Sequence, residues 1–292
     1  MKSIYVCNTL SDYISSINIQ TLKENKIYIR DRNVKKGPYG ICLWCDKLLV
    51  ANSFSNTLSK VNTLNERVEE DYYIGSRLTD VKVYDNIAYV TCGENDNIIL
   101  FDLIKNKIIY QISCGINPTN IGIFENLSLG LITNMMGNSV SILDLKKNEV
   151  VKEINVGEYP TKSYIYKSDY FICCESNLGE DKTGKIVIRS INKGEAIKEI
   201  TVGKSPVDFY YDNNLDMIFV SNFGEGSISF IDLNNFEEFK KIYIGGMPRG
   251  ILKKGRFLYV GDNFNDSLII VDIFTNNKKV IPIGKDPNGM TF

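Results

Sequence analysis

A short apolar strand motif recurs seven times at intervals close to forty residues, and this periodicity constrains the fold more than any other feature of the chain. The copies are IYVCN (4–8), LLVAN (48–52), AYVTC (88–92), GLITN (130–134), YFICC (170–174), IFVSN (218–222) and FLYVGDN (257–263). Their central residues, Val6, Val50, Val90, Ile132, Ile172, Val220 and Val260, lie 44, 40, 42, 40, 48 and 40 residues apart. The one long interval places its extra residues in the polar stretch from Glu175 to Lys185. Self-similarity at such a period marks units that cannot bury their apolar faces alone and must stack on one another.

Each unit carries further strand signals. A short loop leads to a second apolar run, as in SVSILDL (139–145), SISFIDL (227–233) and SLIIVDI (267–273). Near its end stands Asn18, Asn62, Asp102, Asp144, Ser190, Asp232 or Asp272. These short polar side chains can bond the backbone two residues on, which suits a tight turn. A third run of alternating charge, as in VVKEINVG (150–157) and AIKEITVG (196–203), fits a half-exposed outer edge guarded by Lys and Glu. It ends in a Gly-x-x-Pro turn at Gly115…Pro118, Gly157…Pro160, Gly203…Pro206, Gly245…Pro248 and Gly284…Pro287. The first unit shortens this to Gly37-Pro38, and the second keeps Gly75 but has Leu78 in place of proline. Glycine is expected to supply a positive φ there, and proline to fix the start of the next short strand, such as TNIGIF (119–124) or RGILKK (249–254).

Four strands per unit predict an all-β fold: one seven-bladed β-propeller of four-stranded blades occupying residues 1–292. The first unit begins at its second strand, while the last ends just beyond Pro287. Met290 to Phe292 are therefore expected to lie beside Ile4 to Asn8, so that the C-terminal strand closes the ring against the N-terminal strands.

Composition removes whole classes of chemistry. Histidine is absent, which excludes Ser/His/Asp and Cys/His nucleophilic sites, His-ligated metals and a histidine base. The net charge of −1 gives no global attraction to nucleic acid or anionic membrane. Seven cysteines do not read as a disulfide framework and mostly fall inside apolar strand patterns. Cys42-Leu43-Trp44-Cys45, a lone CxxC, reads as buried structural thiols. No run of signal-peptide or membrane-spanning length is present, so a cytoplasmic monomer is expected.

The pattern Tyr-Val-Thr/Ala-Asn, then Ser-Val-Ser-Ile-Leu-Asp, then Val-Gly-x-x-Pro closely resembles the YVTN-repeat β-propellers, most clearly over residues 130–160 and 218–248. That resemblance implies a seven-bladed propeller serving as a binding or scaffolding module. The virginiamycin B lyases are similar propellers, but their chemistry rests on a histidine base that this chain lacks. Quinone-dependent dehydrogenase propellers dock their cofactor with repeated tryptophans, whereas Trp44 is the single tryptophan here. No cofactor, bound metal or catalytic residue is expected.

Candidate sites follow from propeller geometry, since ligands bind where loops converge on the channel mouth. Just after the proline position the repeat is least regular, and Asp80, Asn120, Lys162, Asp208 and Arg249 are not demanded by symmetry. Lys162 and Arg249 are candidates to hold a small anionic ligand, with Asp80, Asn120 and Asp208 giving selectivity. The loops after the YVTN-like strands offer Phe54, Met135, Met136, Phe223 and Phe264 among acidic residues, a candidate protein-binding surface. Both loop sets are expected on one face. Two alternatives stand: a carboxylate–metal hydrolase of lactonase type built on Asp80, Asn120 and Asp208, or a single-strand nucleic-acid binder using Lys36, Arg77, Lys162, Lys204, Arg249 and Lys285.

Overall fold

The computed structural model describes residues 3–29 and 34–292. Its strands form seven separate four-stranded antiparallel sheets, and the only helical elements among the described residues are single 3₁₀ turns at Thr9–Ser11 and Glu125–Leu127. Blades 2 to 7 occupy residues 38–73, 78–113, 118–155, 160–204, 206–243 and 248–282, each running from an inner strand through second and third strands to an outer one. Blade 1 joins both ends of the chain: Pro287–Thr291 is its inner strand, followed outward by Ser3–Asn8, Tyr13–Asn18 and Glu24–Tyr28. The expected closure is thus present, with Tyr5 opposite Thr291 and Val6 opposite Met290.

Burial explains why strand alternation in the sequence is loose. The buried apolar residues divide into seven clusters, each straddling the seam between two neighbouring blades. Leu49, Ala51 and Leu58 of blade 2 meet Val81, Val90 and Phe101 of blade 3, for example. Leu48, Val50 and Val61 of that same blade 2 face Cys7 and Ile14 of blade 1. Every blade is apolar on both faces, so no blade has a core of its own and the array is stable only as a ring.

The seven polar residues at the end of the third strand make the expected turns. Each accepts backbone N–H groups two or three residues on, as Asn18, Asn62, Asp102, Asp144, Ser190, Asp232 and Asp272 all do. These N–H groups, foremost those of Lys105, Lys147 and Asn234, hold the Asp102, Asp144 and Asp232 carboxyls below the usual carboxylate range.

Gly37 and Gly245 have the positive φ expected, but in four of the Gly-x-x-Pro turns the glycine has a different role. Positive φ falls mainly on the residue before proline: Gly37, Asn117, Tyr159, Ser205 and Asp286, and Arg77 before Leu78. Gly115, Gly157, Gly203 and Gly284 are absent from the positive-φ set and are needed for close approach. A Cβ there would lie 2.4 Å from Asn134 Nδ2, 2.1 Å from Glu175 Oε2, 2.6 Å from Asn222 Cγ or 2.6 Å from Asn8 Cβ. Those neighbours all end the second strand of the following blade. The buried Asn222 side chain, for instance, accepts from Gly203 N–H at 3.2 Å and donates to Ser227 and Ser229 at 3.0 and 2.7 Å. Glycine makes room for that side chain between blades.

Blades 6 and 7 are further joined by a buried ion pair, Lys253 Nζ to Asp212 Oδ2 at 2.5 Å, with the two side chains 9% and 7% exposed. Burial opposes the Asp212 charge, yet Lys253 and the N–H groups of Leu215 and Asn214 leave its pKa lowered. A lowered folded pKa gives stability that is present above the unfolded value and is lost as pH falls through the folded one. Asp212→Asn should therefore cost about 3–5 kcal/mol at neutral pH, because Lys253 is left buried and unpaired. It should also flatten the acid limb of stability against pH. Denaturant titrations at neutral and acid pH check both, and an unchanged acid limb would refute the assignment.

Candidate functional site

The inner strands carry a shared irregularity that aims their first residues. Pairing with the second strand slips between Pro38 and Gly40, Leu78 and Asp80, Pro118 and Asn120, Pro160 and Lys162, and Pro206 and Asp208. A bulge re-aims the side chains beside it, and here those side chains reach the inner strand of an adjoining blade.

The five candidate channel residues come together as three groups. Asn120 donates to Asp80 Oδ2 at 2.8 Å, and the same oxygen accepts the backbone N–H of Ile121 at 3.2 Å. Asp80 Oδ1 takes the N–H of Val81 and the ammonium of Lys82 at 2.8 and 3.0 Å. Lys162 Nζ lies 2.6 Å from Asp208 Oδ1 and donates to the Phe209 carbonyl at 2.8 Å. Asp208 also accepts the N–H groups of Phe209 and, across the seam, Ile251. Arg249 donates to the Tyr39 hydroxyl and stacks on that ring at 5.6 Å.

Asp80 and Asp208 therefore do the same structural work three seams apart. Each carboxylate accepts the N–H of the residue after it and a free inner-strand N–H of the following blade. Arg249 has its pKa shifted up, chiefly by Tyr39 and against burial, with Asp286 and Asp208 adding to the effect. Burial pulls the Lys82 pKa down, but Asp80, with Cys42 and Asp208, outweighs it and the net shift is upward. Lys82 and Tyr39 were not among the sequence candidates. Lys82 sits two residues after Asp80 in a strand, where side chains share a face, and that spacing was the available signal. At the equivalent positions of blades 2, 7 and 1, Gly40, Gly250 and Gly289 bring neighbouring backbones together.

The two loop sets share one face and are laced together. After each second strand, a loop N–H donates to a carbonyl of the preceding turn, as from Thr9 to Asp286, Ser53 to Gly37, Gly93 to Arg77 and Met135 to Asn117. The remaining seams repeat this from Ser176 to Tyr159, Phe223 to Ser205 and Asn263 to Met247. In return, side chains of the loops accept turn N–H groups: Asp12 from Gly37, Asn56 from Arg77, Asp96 from Asn117, Asn138 from Tyr159 and Asp266 from Asp286. These five acceptors have positive φ, a conformation Asn and Asp tolerate well. Asp12, Asp96 and Asp266, three of the acidic residues among which the apolar loop candidates stand, are scaffold. Of the apolar candidates, Phe54, Met136 and Phe264 project into solvent at 50%, 54% and 69% exposure, while Met135 and Phe223 are half-buried.

Of the CxxC pair, Cys42 is buried and burial pushes its thiol up to about 12, but Cys45 is exposed, contrary to the expectation of two buried thiols. The reason is local: Cys45 takes the positive-φ position of the hairpin leaving blade 2's inner strand. Among the described residues no three Asp, Glu or Cys side chains cluster so as to hold a metal ion. The basic set is largely engaged, with Lys36 paired to Asp71, Lys162 to Asp208 and Lys204 to Asp181. Among the described residues no helix is long and apolar enough to cross a membrane.

Fold and seams together define a seven-bladed β-propeller scaffold. Residues 245–278, covering most of blade 7, match the LVIVD repeat. No curated protein matches the chain in sequence. Among solved structures, a functionally unknown protein from Desulfotomaculum acetoxidans DSM 771 is similar at 17% identity and a TM-score of 0.75, over 98% of this chain and all of that one. The Kuenenia stuttgartiensis hydrazine synthase is similar at 18% identity and a TM-score of 0.73, over 84% of this chain and 79% of that one. Dihydro-heme d1 dehydrogenase NirN, in complex with DHE, is similar at 12% identity and a TM-score of 0.72, over 99% of this chain and 75% of that one. At these identities the likeness is one of fold.

Proposed function

We propose that this propeller is a non-enzymatic binding scaffold that engages a protein partner through its loop face. The observation that carries the reading is a contrast between the two candidate sites. At the channel mouth, Lys82 and Lys162 are matched to carboxylates and Arg249 to the Tyr39 hydroxyl, so an anionic ligand would have to displace Asp208 from Lys162. On the loop face, Phe54, Met136 and Phe264 stay exposed on loops that the interlaced hydrogen bonds hold rigid. Rigid apolar anchors lose little conformational freedom on binding, which favours affinity. The YVTN-like repeat supports the same reading. Structural neighbours named for catalysis lend it no enzymatic role, because at 18% and 12% identity the likeness is one of fold. Seven unpaired cysteines fit the reducing compartment proposed for it.

The reading is tested by cross-linking mass spectrometry on native complexes with loop-face and opposite-face variants. Phe54→Ser with Phe264→Ser should weaken capture of the principal partner by roughly thirtyfold, the effect of losing about 2 kcal/mol of anchor. Leu64→Ser with Phe274→Ser, exposed at 83% and 71% on the opposite face, should leave capture unchanged. Equal loss in both pairs would sink the proposal.

A further inference from the structure

Outer-strand lysines clamp several blade seams. Lys152, opposite Ile142 in its sheet, donates to the carbonyls of Ile191 and Asn192 in the next blade's outer turn. Lys240, opposite Phe230, donates to Ile273 of the next blade at 3.0 Å. Lys198, opposite Ile188, lies over the Phe236 ring of the next blade at 5.5 Å. Lys279 holds the same register, opposite Ile270, and faces the seam between blades 7 and 1. There the clamp is open. The turn of blade 1 places Leu22 at the positive-φ position where blades 3 and 4 have Asn106 and Asn148. Those two asparagines accept from Lys60 and Tyr89 across their own seams, whereas leucine places an apolar side chain at this one.

In place of a closed clamp stands a groove of about 240 Å³ walled by Ile19, Leu22, Phe257, Tyr259 and Ile270, with Lys279 on its rim. The acidic group beside it, Asp272, is consumed by Arg256 at 2.7 Å and by two turn N–H groups. Lys278 donates to the Tyr243 carbonyl of blade 6 at 2.5 Å. Lys279 is left as an exposed ammonium above an apolar floor, and nothing in the fold's symmetry requires that combination.

We propose that this seam groove binds a small amphiphilic carboxylate, its alkyl chain lying on Ile19, Leu22 and Ile270 and its carboxylate on Lys279. Size agrees with that class: a cavity of roughly 150 Å³ takes benzene, so this groove suits roughly ten carbons or fewer. Charge decides the head group, because the rim's unmatched charge is positive.

The probe is sodium octanoate, titrated into methyl-labelled protein and followed by NMR, with octanol as the neutral arm. Octanoate should give saturable shifts at the Ile19, Leu22 and Ile270 methyls with a Kd at or below about 1 mM. Lys279→Glu should weaken octanoate about fivefold, as loss of a solvent-exposed ion pair does, and leave octanol unaffected. Leu22→Asn, which supplies the acceptor found in blades 3 and 4, should abolish binding of both without lowering the melting temperature. Absence of saturable octanoate shifts, or octanoate binding that Lys279→Glu does not weaken, would overturn the proposal.

Discussion

A chain truncated after Lys285 should lose its cooperative unfolding transition altogether. The missing segment is the inner strand of blade 1, and its removal leaves the Ser3–Asn8 strand with a bare edge facing the channel. Two further ties go with it: Thr9 N–H to the Asp286 carbonyl at 3.1 Å, and Asn288 Nδ2 to Thr9 Oγ1 at 2.6 Å. Met290 and Phe292 belong to the apolar cluster between blades 7 and 1 and are half-buried there. Deleting each costs about 2 kcal/mol at the low end for large-to-small changes. Added to the lost strand pairing, this is a large part of the roughly 5–15 kcal/mol that separates folded from unfolded domains. The loss spreads because no blade has a core of its own, so an opened ring exposes apolar faces at both sides of the gap. Circular dichroism melts with near-ultraviolet detection should show a broad, low-amplitude change in place of a sharp transition. A peptide of residues 284–292 added in trans should restore part of the sharpness. Unfolding as sharp as that of the full chain, at the same temperature, would refute the closure argument.

What the sequence made legible and what it concealed follow one rule. Features repeated in every unit could be read, because seven copies average out the noise of any one: the blade count, the strand order, the Asx turns at Asn18 to Asp272, and the joining of the two chain ends. The Gly-x-x-Pro turn shows that repetition reveals importance before it reveals the cause. Glycine recurs there because Asn8, Asn134, Glu175 and Asn222 come within contact distance of its missing Cβ, and those partners lie in another strand. Asp12, Asp96 and Asp266 illustrate the converse. Their recurrence at one offset, alongside Asn56 and Asn138, is itself a sign of scaffold, but a carboxylate on a loop carries the same signature as surface charge until its N–H partner in the turn is known. Pairings particular to one seam were not legible at all. Lys162 and Asp208 are 46 positions apart, and nothing in the repeat fixes that the bulge after each proline turns them toward one another. The groove beside Lys279 is of the same kind, since one of its walls is Leu22 from the opposite end of the chain.

Gly40→Ala should cost about 3 kcal/mol, at the upper end of what overpacking a tight core does, although it adds a single methyl group. Gly40 sits in the inner strand of blade 2, where a Cβ would lie 2.6 Å from Asp80 Cα and 2.8 Å from the Thr79 carbonyl oxygen. Both are backbone atoms of the neighbouring inner strand, so no rotamer change can relieve the contact and the strands themselves must part. The same closeness recurs where a Cβ on Gly289 would lie 2.3 Å from the Tyr39 carbonyl oxygen and one on Gly250 would lie 2.5 Å from that of Asn288. Parting the strands at Gly40 also shifts Asp80, which holds Asn120 and the Ile121 N–H of the next blade, so the strain passes along the ring. Gly245→Ala is the control. Its φ is +79° and nothing lies within 4 Å of an added Cβ, which leaves only the conformational cost of about 1–2 kcal/mol for a left-handed residue. At about 2–4 °C per kcal/mol for a large domain, Gly40→Ala should melt well below Gly245→Ala. Equal melting temperatures would mean that the inner strands have room to move, and that backbone contact around the channel does not set how tightly the ring is drawn.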